Sequence, residues 1–598
     1  MKSLISVFFL TVAVAAFGQH IAVLSDVHVS PGNEAEKQLK IAVDEINRGT
    51  FDFVVMDGDL TNEGSDAELA NVKSILDGIK APLYVLPGNH ENNWSQSAGT
   101  TFPRLWDDDR FVADFDSLLI VGINCGPYMK MGDGHIKQED LHWLDATLAQ
   151  KATPSKRVLS FNHYPLNRDI DNIDAYLEVL ERYPVVGHIN GHYHSWKCYM
   201  GGDINAVSVR ALDMKNDHGY TIVDIDRDWI HVYDKPLGAA AQPKYAFPTK
   251  TAHTRSASAA LDAAVPEGWN VTRLWADSAS IFTIPAVDAS RIYFGTSTGA
   301  VRAVDTASGR QAFSIATGAP VFSRPAVLPG RKAAFPVSDG IIIAKPDGKH
   351  SRLDGATPYV ADGIASDKYW IQGGYKRIDR RDPRSGRIVW SYDSLANYCQ
   401  GAPVVDGNDV IFGAWDTYLR CLDLRSGRLR WKWNNGKSAN MLGPGNVVPV
   451  VTDSIVLIVA PDRYITAIDR ATGHTLWRDN SHRFRESLGT DGRGTAFAKT
   501  MDGSLVAVEI NPDGYKELWA TDLGIGYDHA PCPITVSDGV SYVGSRRGVI
   551  CAVDAATGRL LWSFPAGTSE VNGFAVAPDG TVYATLIEGT VWRINKNR

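Results

Sequence analysis

The sequence contains no long block of basic residues. Its 60 Lys and Arg residues are outnumbered by 68 Asp and Glu residues, so the formal net charge at pH 7 is −8. A protein that follows a nucleic-acid backbone neutralises several phosphates with clustered cations. The composition therefore argues against polymeric nucleic acid as a partner.

Long apolar runs are absent after residue 18, and none approaches the ~20 residues needed to cross a bilayer. The mature protein is therefore predicted to have no membrane span. The N-terminus has the pattern of a signal peptide, because Lys2 precedes an apolar stretch at 4–16 and small residues stand three and one positions before Gln19. We predict a signal peptide over 1–18 and an exported protein, periplasmic or secreted. An uncleaved anchor is disfavoured by the short apolar stretch and by a strand predicted from Ile21.

Cysteine is scarce, and no CxxC motif is present. The six cysteines could pair in an oxidising compartment, but their spacing fixes no connectivity. They are Cys125, Cys198, Cys399, Cys421, Cys532 and Cys551.

The character of the chain changes once. Up to about residue 235, predicted strands alternate with helical stretches, an α/β pattern. The helices are predicted at 34–47, 66–79, 138–150 and 173–183. From 266 onward helical patterns vanish, and the Pro-, Ala-, Ser- and Thr-rich segment between is interpreted as a linker. The predicted organisation is an α/β domain over 19–235, a linker over 236–265 and an all-β domain over 266–598.

The C-terminal region repeats a short phrase, an Asp, a Gly four residues later and a Phe or Trp four residues after the Gly. The copies are Asp305-Gly309-Phe313, Asp382-Gly386-Trp390, Asp423-Gly427-Trp431, Asp469-Gly473-Trp477 and Asp554-Gly558-Trp562, with a degenerate copy ending at Trp519. Successive Trp positions from 390 to 562 are 41, 46, 42 and 43 residues apart, a period typical of propeller blades. Asp and Gly are expected to form a hairpin between outer strands, and the aromatic side chain to pack between blades.

The two ends of this region complete each other. The segment around Trp275 has no preceding strands of its own, whereas the last copy, 571–594, ends after three strands. Joined as one blade, they give an eight-bladed propeller without a free sheet edge.

Five motifs with metal-ligand side chains follow one another in the first 194 residues. They are Asp26-Val27-His28, Gly58-Asp59, Gly88-Asn89-His90-Glu91, His163 and Gly191-His192-Tyr193-His194. Each follows an apolar, β-branched run, so each is predicted at the carboxyl end of a strand, where α/β sheets place their chemistry. Together these side chains suffice to hold two metal ions.

This ordered set resembles the calcineurin-like metallophosphoesterase family over residues 20–235. The resemblance implies an α/β four-layer sandwich, with two mixed sheets between helices. It also implies two metal ions, the first held by Asp26, His28, Asp59 and His194, and the second by Asp59, Asn89, His163 and His192. Such mixed ligation suits divalent manganese, iron or zinc better than magnesium or calcium.

The resemblance further implies hydrolysis of a phosphomono- or phosphodiester by a hydroxide that bridges the two metals. His90 is placed as in the family to stabilise the transition state or to protonate the leaving alkoxide, and its alternative role is to orient a ligand. Glu91 could orient His90. Purple acid phosphatases carry a tyrosine three residues after the bridging Asp, where this chain has Asn62. A ferric site is therefore not expected, and the sequence looks more like the phosphodiesterase-rich branches.

The C-terminal repeat resembles the pyrroloquinoline-quinone-type β-propeller over 266–598. That family includes quinone-dependent dehydrogenases and cofactor-free proteins such as an outer-membrane assembly scaffold. The dehydrogenases carry adjacent cysteines near the quinone, and no two cysteines are adjacent here. Pyrroloquinoline quinone (PQQ) is therefore not expected, and a propeller that binds substrate, a glycan or a protein is favoured.

The sequence thus predicts an exported metal-dependent phosphoesterase joined to an eight-bladed propeller. Two alternatives stay open, a propeller-led scaffold with a vestigial hydrolase domain and a quinone-dependent dehydrogenase. Further residues could border the site or clamp a phosphate, although each alone is more typical of a surface or structural residue and none is predicted to be catalytic. They are Asn92, Asn93, Trp94, the loop 124–135, Arg168 and Arg210.

Overall fold

The computed structural model describes residues 18–597 apart from 94, 130, 154–155, 215–216, 250–263, 356–357 and 438. The predicted signal peptide lies, except for Gly18, outside the described residues. Within the described part, no helix is long and apolar enough to cross a membrane. All six cysteines are described, and no disulfide joins any two of them.

The N-terminal region builds two mixed β-sheets flanked by helices. Its elements are β1 (Gln19–Leu24), α1 (Glu34–Ile46), β2 (Phe53–Asp57), α2 (Asp66–Leu76), β3 (Leu83–Leu86), α3 (Asn89–Asn92), α4 (Thr101–Trp106), β4 (Phe111–Asp114), β5 (Leu118–Gly122), α5 (Gln138–Lys151), β6 (Arg157–Phe161), α6 (Ile173–Leu180), β7 (Val185–Asn190), β8 (Lys197–Gly201), β9 (Ile204–Ser208), β10 (Asp213–Met214), β11 (Asp217–Ile225), β12 (Trp229–Pro236) and β13 (Gln242–Pro248). The first sheet has the order β13-β12-β11-β1-β2-β3, with β10 paired to β11, and the second has the order β4-β5-β6-β7-β9-β8. Strands β1, β2 and β3 run parallel, as do β5, β6, β7 and β9.

Three apolar cores hold these layers together. The first, between α1, α2 and the first sheet, contains Leu39, Leu69 and Val54. The second, between the two sheets, contains Phe53 and Phe161. The third packs α5 and α6 on the second sheet. Helices, sheet, sheet and helices therefore follow one another, in the order of the predicted four-layer sandwich.

The predicted linker begins too early. Strand β13 pairs antiparallel with β12 and forms the edge of the first sheet. Pro243 and Pro248 are tolerated because an edge strand has backbone positions that need no partner. Phe247 is only 4% exposed and belongs to the core between the sheets. The N-terminal domain therefore extends through Pro248, which corrects the predicted boundary at 235.

The C-terminal region consists of eight four-stranded sheets. In chain order its strands are β14 (Trp269–Ala276); β15 (Ala286–Val287), β16 (Arg291–Gly295), β17 (Ala300–Asp305), β18 (Gln311–Ala316); β19 (Ala326–Leu328), β20 (Lys332–Val337), β21 (Gly340–Ala344), β22 (His350–Asp354); β23 (Ile364–Ala365), β24 (Trp370–Gly374), β25 (Arg377–Arg381), β26 (Ile388–Tyr392); β27 (Val404–Asp406), β28 (Asp409–Gly413), β29 (Tyr418–Asp423), β30 (Leu429–Asn434); β31 (Val450–Val451), β32 (Ile455–Val459), β33 (Ile465–Asp469), β34 (Thr475–Asp479); β35 (Phe484–Thr490), β36 (Thr495–Thr500), β37 (Ser504–Asn511), β38 (Gly514–Asp522); β39 (Thr535–Ser537), β40 (Val540–Gly544), β41 (Val549–Asp554), β42 (Leu560–Pro565); and β43 (Val571–Val576), β44 (Val582–Leu586), β45 (Thr590–Lys596). Seven blades are formed by consecutive strands, and the eighth has the order β14-β45-β44-β43. The first and last strands of the propeller thus pair, which confirms the predicted eight blades and their closure.

The repeated phrase acts as the sequence predicted. In one copy, Asp423 Oδ1 accepts a hydrogen bond of 2.8 Å from the backbone N–H of Ser426, and Gly427 has a left-handed φ of 71°. Trp431 donates from Nε1 to the carbonyl oxygen of Arg470 in the next blade, at 2.8 Å. Asp and Gly therefore shape the hairpin, and the Trp joins neighbouring blades.

A loop of the N-terminal domain, residues 124–135, docks on one face of the propeller. Met131 is 4% exposed within an apolar cluster that includes propeller aromatic side chains. Beside it, the Asp133 carboxylate lies 2.9 Å from His529 Nε2 and 3.0 Å from Arg546 Nε. An apolar centre with ion pairs around it fixes the propeller against the N-terminal domain.

Candidate metal centre

All five predicted motifs lie directly after parallel strands. The first three follow β1, β2 and β3 in one sheet, and the last two follow β6 and β7 in the other. Because the two sheets pack face to face, the loops after these strands meet at one end of the sandwich. The structure therefore brings together all seven predicted metal ligands.

Four side chains form a first group, in which one ligand atom from each lies within 4.8 Å of the others. They are Asp26, His28, Asp59 and His194. His194 Nε2 is 3.2 Å from Asp26 Oδ1 and 3.0 Å from His28 Nε2. His28 Nε2 is 3.8 Å from Asp59 Oδ2. Two imidazoles and two carboxylates thus face one point, a donor set that suits a divalent transition metal.

A second group contains Asp59, His163 and His192, again with ligand atoms within 4.8 Å of one another. His163 Nε2 lies 3.2 Å from Asp59 Oδ2. Asn89 joins this group, since its Oδ1 is 3.1 Å from His192 Nδ1. Asp59 belongs to both groups and occupies the position of a bridging ligand.

The surroundings of His163 fit a metal ligand. Its ring is fully buried, and its Nδ1 lies 2.7 Å from the carbonyl oxygen of Asp57. A carbonyl can only accept, so Nδ1 carries a proton, and Nε2 is the ring nitrogen that faces Asp59. Nε2 makes no hydrogen bond within the described residues. A buried ring whose orientation is fixed from behind, with its other nitrogen turned toward carboxylates, is arranged as metal-binding histidines are.

Backbone strain is concentrated at the same place. Asp26, His28, Asp59, His192 and His194 all have φ values between 49° and 69°. Non-glycine residues rarely adopt this left-handed conformation, and strain of this kind gathers at functional sites. The turns after the strands thereby aim ligand atoms at shared points.

Burial and neighbouring charges set the protonation states. Burial lowers the pKa of His28 and of His192 to about 4, so both rings are neutral at pH 7. Burial alone would raise the pKa of Asp59, but positive charge on the neighbouring His163 ring outweighs it and holds this pKa below its usual range. Burial alone would lower the pKa of His163, but the Asp59 and Asp26 carboxylates outweigh it and raise this pKa, so a metal ion bound at Nε2 would replace a proton there. Neutral imidazoles and ionised carboxylates are the forms that bind metals.

Glu91 ties two ligand loops together. This side chain is fully buried, and its Oε1 accepts hydrogen bonds from Thr61 N at 3.0 Å and from Thr61 Oγ1 at 2.7 Å. Its Oε2 accepts from Gly88 N at 2.9 Å. Thr61 follows Asp59, and Gly88 precedes Asn89, so one carboxylate sets the spacing of these two ligands. The suggestion that Glu91 orients His90 is therefore corrected, because both carboxylate oxygens are taken by backbone and hydroxyl donors.

His90 lies beside the ligands without belonging to either group. Its Nδ1 is 2.5 Å from the carbonyl oxygen of Asn62, and its Nε2 is 3.8 Å from Asp59 Oδ2. The backbone N–H of His90 also donates to Asp59 Oδ1 at 3.1 Å. These contacts hold the ring so that Nε2 points toward the ligand cluster.

Two cavities flank the cluster, and the propeller forms the far wall of both. One cavity, of about 380 Å³, is lined by His90 and by propeller residues that include Lys376 and Asn397. The other, of about 350 Å³, is lined by His192 and by propeller residues that include Arg485. The cluster therefore opens into a cleft between the two domains.

The nominated loops reach this cleft, and the nominated arginines do not. Asn93 and part of the loop 124–135 line the 350 Å³ cavity. Arg168 pairs with Asp174 at the surface, and the buried guanidinium of Arg210 pairs with Asp234. Neither arginine is among the described residues that line the two cavities, so both have the surface or structural role that the sequence favoured over a phosphate clamp.

The two remaining candidate residues are Asn92 and Trp94. Asn92 is buried and donates from Nδ2 to the carbonyl oxygen of Gly88 at 2.8 Å, so it supports the loop of Asn89. Trp94 lies outside the described residues.

The sequence did not predict that propeller residues line the site. Arg463, Arg485 and Trp415 line the 350 Å³ cavity, although they lie more than 200 residues after His192 in the chain. No local motif marks them, because only the docking of the two domains brings them to the cleft.

Comparison with known families divides the chain in the same way. Residues 19–196 match the model of the calcineurin-like phosphoesterase family. Residues 374–512 and 501–598 match the model described as outer membrane protein assembly factor BamB.

Two relatives and one solved structure are each similar to part of the chain. A "Probable cyclic nucleotide phosphodiesterase" of Vesicomyosocius okutanii is 26% identical over 234 residues, which cover 35% of this chain and 97% of that protein. A "Probable glycerophosphodiester phosphodiesterase GpdQ" of Arcobacter nitrofigilis is 26% identical over 189 residues, which cover 28% of this chain and 67% of that protein. Among solved structures, BamB from Moraxella catarrhalis is similar with a TM-score of 0.44 and 18% identity, covering 55% of this chain and 100% of that one.

Proposed function

Because residues 19–196 form a calcineurin-like phosphoesterase domain, and hence the domain of a metal-dependent phosphoester hydrolase, we propose that this chain is an exported dinuclear phosphodiesterase whose propeller closes the substrate cleft. The observation that carries the proposal is the convergence of two ligand groups on Asp59. A vestigial hydrolase domain would be expected to have lost ligands, so the presence and proximity of all seven predicted ligand residues support an active domain.

The two groups support a separate ligand set for each metal. Asp26, His28, Asp59 and His194 would hold one ion, and Asp59, Asn89, His163 and His192 would hold the other. When bound, two such ions lower the pKa of water and neutralise charge on a phosphoryl group. Manganese, iron or zinc fits the mixed donor set, in which Asn89 contributes a neutral oxygen.

The protein's own groups position and protonate the ester. The Asn62 carbonyl accepts a hydrogen bond from His90 Nδ1, which directs Nε2 toward the ligand cluster, 3.8 Å from Asp59 Oδ2. A proton carried on Nε2 could be given to the leaving alkoxide. Since His90 lines the 380 Å³ cavity, the leaving group is placed in that cavity.

A diester is favoured over a monoester by the shape of the cleft. A diester carries two substituents, and one cavity lies on each side of the ligand cluster. The two similar proteins described above are both named as phosphodiesterases, which supports the same choice.

Export is proposed from the N-terminal sequence pattern. Sequencing of the mature N-terminus after expression with the full leader tests it directly. A mature chain that begins at Gln19 is expected, and a retained Met1 would contradict export through this leader.

Hydrolysis of chromogenic esters tests the activity. The protein from Gln19 to Arg598, loaded with manganese, iron or zinc, is expected to hydrolyse bis(p-nitrophenyl) phosphate faster than p-nitrophenyl phosphate. Asp59→Asn should abolish turnover, whereas Asp116→Asn, at an exposed position in the turn between β4 and β5, should retain it. Metal-independent turnover, or equal turnover by Asp59→Asn, would contradict the proposal.

A further inference from the structure

The two cavities beside the ligand cluster have different chemistry. The 380 Å³ cavity contains His90, the proposed proton donor to the leaving group. The 350 Å³ cavity lacks His90 and is bordered by Asn89 and His192 of the second ligand group. A phosphodiester bound at the cluster would therefore place its leaving group in the first cavity and its retained substituent in the second. Met441 of the propeller lines both and separates them.

The propeller wall of the second cavity carries two arginines with unused donors. Arg485, in β35, donates from Nε to Glu486 Oε2 at 2.6 Å, which fixes its guanidinium, while Nη1 and Nη2 make no hydrogen bond to any described residue. A Cβ at Gly132 of the docked loop would lie 3.9 Å from Arg485 Nη2, so this end of the side chain reaches the inner wall of the cavity. Arg463, in the turn between β32 and β33, makes no side-chain hydrogen bond or ion pair with the described residues.

The acidic groups at this cavity leave the Nη donors of both arginines free. The Glu486 carboxylate is 5% exposed and pairs with Arg485 Nε, so it offsets the charge of Arg485 but does not occupy its Nη atoms. The Asp133 carboxylate is already engaged, because it lies 3.0 Å from Arg546 Nε and 2.9 Å from His529 Nε2. Two guanidinium groups with free Nη donors therefore face a space large enough for a nucleoside-sized substituent.

We propose that Arg463 and Arg485 form an anion-binding subsite that recognises an anionic group, such as a phosphate, on the retained substituent of a phosphodiester. This inference rests on the proposed function and adds the substrate class, because planar guanidinium groups bind phosphate or carboxylate oxygens through paired hydrogen bonds. The subsite belongs to the propeller, so the C-terminal domain sets the specificity of a reaction that the N-terminal domain performs.

A matched pair of chromogenic esters tests the subsite. Thymidine 5′-(p-nitrophenyl phosphate) and its 3′-phosphorylated form share a leaving group and differ only in one phosphate on the retained side. The metal-loaded protein should hydrolyse the 3′-phosphorylated ester with the higher kcat/KM. Arg485→Gln should lower this preference about 10- to 100-fold, the range expected for losing one charge-assisted contact, and Arg463→Gln should lower it in the same direction.

Arg483→Gln is the control, because Arg483 lies two residues from Arg485 yet lines neither cavity. It should keep the preference of the unaltered protein. Equal kcat/KM for the two esters in the unaltered protein would overturn the inference. An Arg485→Gln variant that loses activity on both esters in the same proportion would also overturn it, since that result indicates a structural role.

Binding separates this inference from the proposed function. Thymidine 3′,5′-bisphosphate can be titrated into the metal-loaded protein by calorimetry whether or not any ester is hydrolysed. Tighter binding to the unaltered protein than to Arg485→Gln, without turnover of any ester, would support the subsite and refute the phosphodiesterase. Turnover of the esters with equal binding to both proteins would do the reverse.

Discussion

Replacing Glu91 by Gln should weaken metal binding, although Glu91 is not itself a predicted ligand. The carboxylate receives three hydrogen bonds, two from Thr61 at 3.0 and 2.7 Å and one from Gly88 N at 2.9 Å. The Gln amide has one oxygen, so it can accept either from Thr61 or from Gly88 N, but not from both. Its NH2 group must then face the remaining backbone N–H, which places one donor against another.

The magnitude follows from that mismatch. A buried donor left without an acceptor costs about 1–3 kcal/mol, and a lost bond to a charged group costs a similar amount. The strain falls on the loops of Asp59 and Asn89, which belong to the proposed metal site. Groups that hold metal ligands in place typically change affinity about 10- to 100-fold when altered. We therefore expect Glu91→Gln to weaken manganese binding by about that factor.

Calorimetric titration of Mn²⁺ into the metal-free protein measures this effect. Metal affinity is a better readout than a single unfolding free energy, because a two-domain chain need not unfold in one step. Glu178→Gln, at an exposed position of α6, is the control and should bind as the unaltered protein does. Affinity within twofold of the unaltered protein in Glu91→Gln would refute the view that this carboxylate sets the spacing of the ligands.

Three further outcomes are expected. His90→Gln should lower kcat about 10²- to 10⁴-fold on alkyl phosphodiesters and far less on p-nitrophenyl esters, whose leaving group needs no proton, so equal losses in the two assays would contradict its role as proton donor. Burial lowers the pKa of His188 to about 3, so the folded protein should lose stability as the pH falls below about 6.5, by about 2 kcal/mol at pH 5. Thermal unfolding of His188→Gln should therefore depend less on pH over that range. An unchanged pH dependence would refute the buried His188 as its cause. Phe247→Ala should destabilise the N-terminal domain by about 3–5 kcal/mol because β13 buries this ring between the sheets, whereas no change in thermal unfolding would restore the linker interpretation.

The ligand cluster could be predicted from the sequence because its information is local. Each motif follows a strand at once, and parallel strands deliver their carboxyl ends to one edge of a sheet. Asp26 and Asp59, which follow neighbouring strands of the first sheet, could therefore be expected to meet. His163 follows a strand of the second sheet, so only the family resemblance predicted its place beside them, and its Nε2 lies 3.8 and 3.2 Å from the two carboxylates. The assignment of each residue to a particular ion rests on family resemblance and stays a prediction.

The propeller was predictable for a similar reason. Its Asp-Gly-Trp phrase recurs at nearly constant spacing, and the Trp of one copy, Trp431, packs within its own blade and bonds the neighbouring blade, so the contacts that carry the pattern stay close to it in the chain. A period is visible in a sequence even when no single copy is diagnostic.

The contacts between distant segments could not be predicted. Glu91 bonds Thr61 across 30 residues, and Arg485 reaches the cleft only because the loop 124–135 docks on the propeller. Strand β13 was missed because proline argues against a central strand, and only the pairing with β12 shows that Pro243 lies at a sheet edge. Such arrangements depend on packing between elements, which leaves no pattern in either segment alone.

Anomalous diffraction from crystals of the manganese-loaded protein would test the central claim most directly. Two peaks are expected, ~3.5–4 Å apart, with Asp59 between them. One should lie among Asp26, His28, Asp59 and His194, and the other among Asp59, Asn89, His163 and His192. A single peak, or peaks away from these side chains, would contradict the dinuclear centre on which the proposed phosphodiesterase depends.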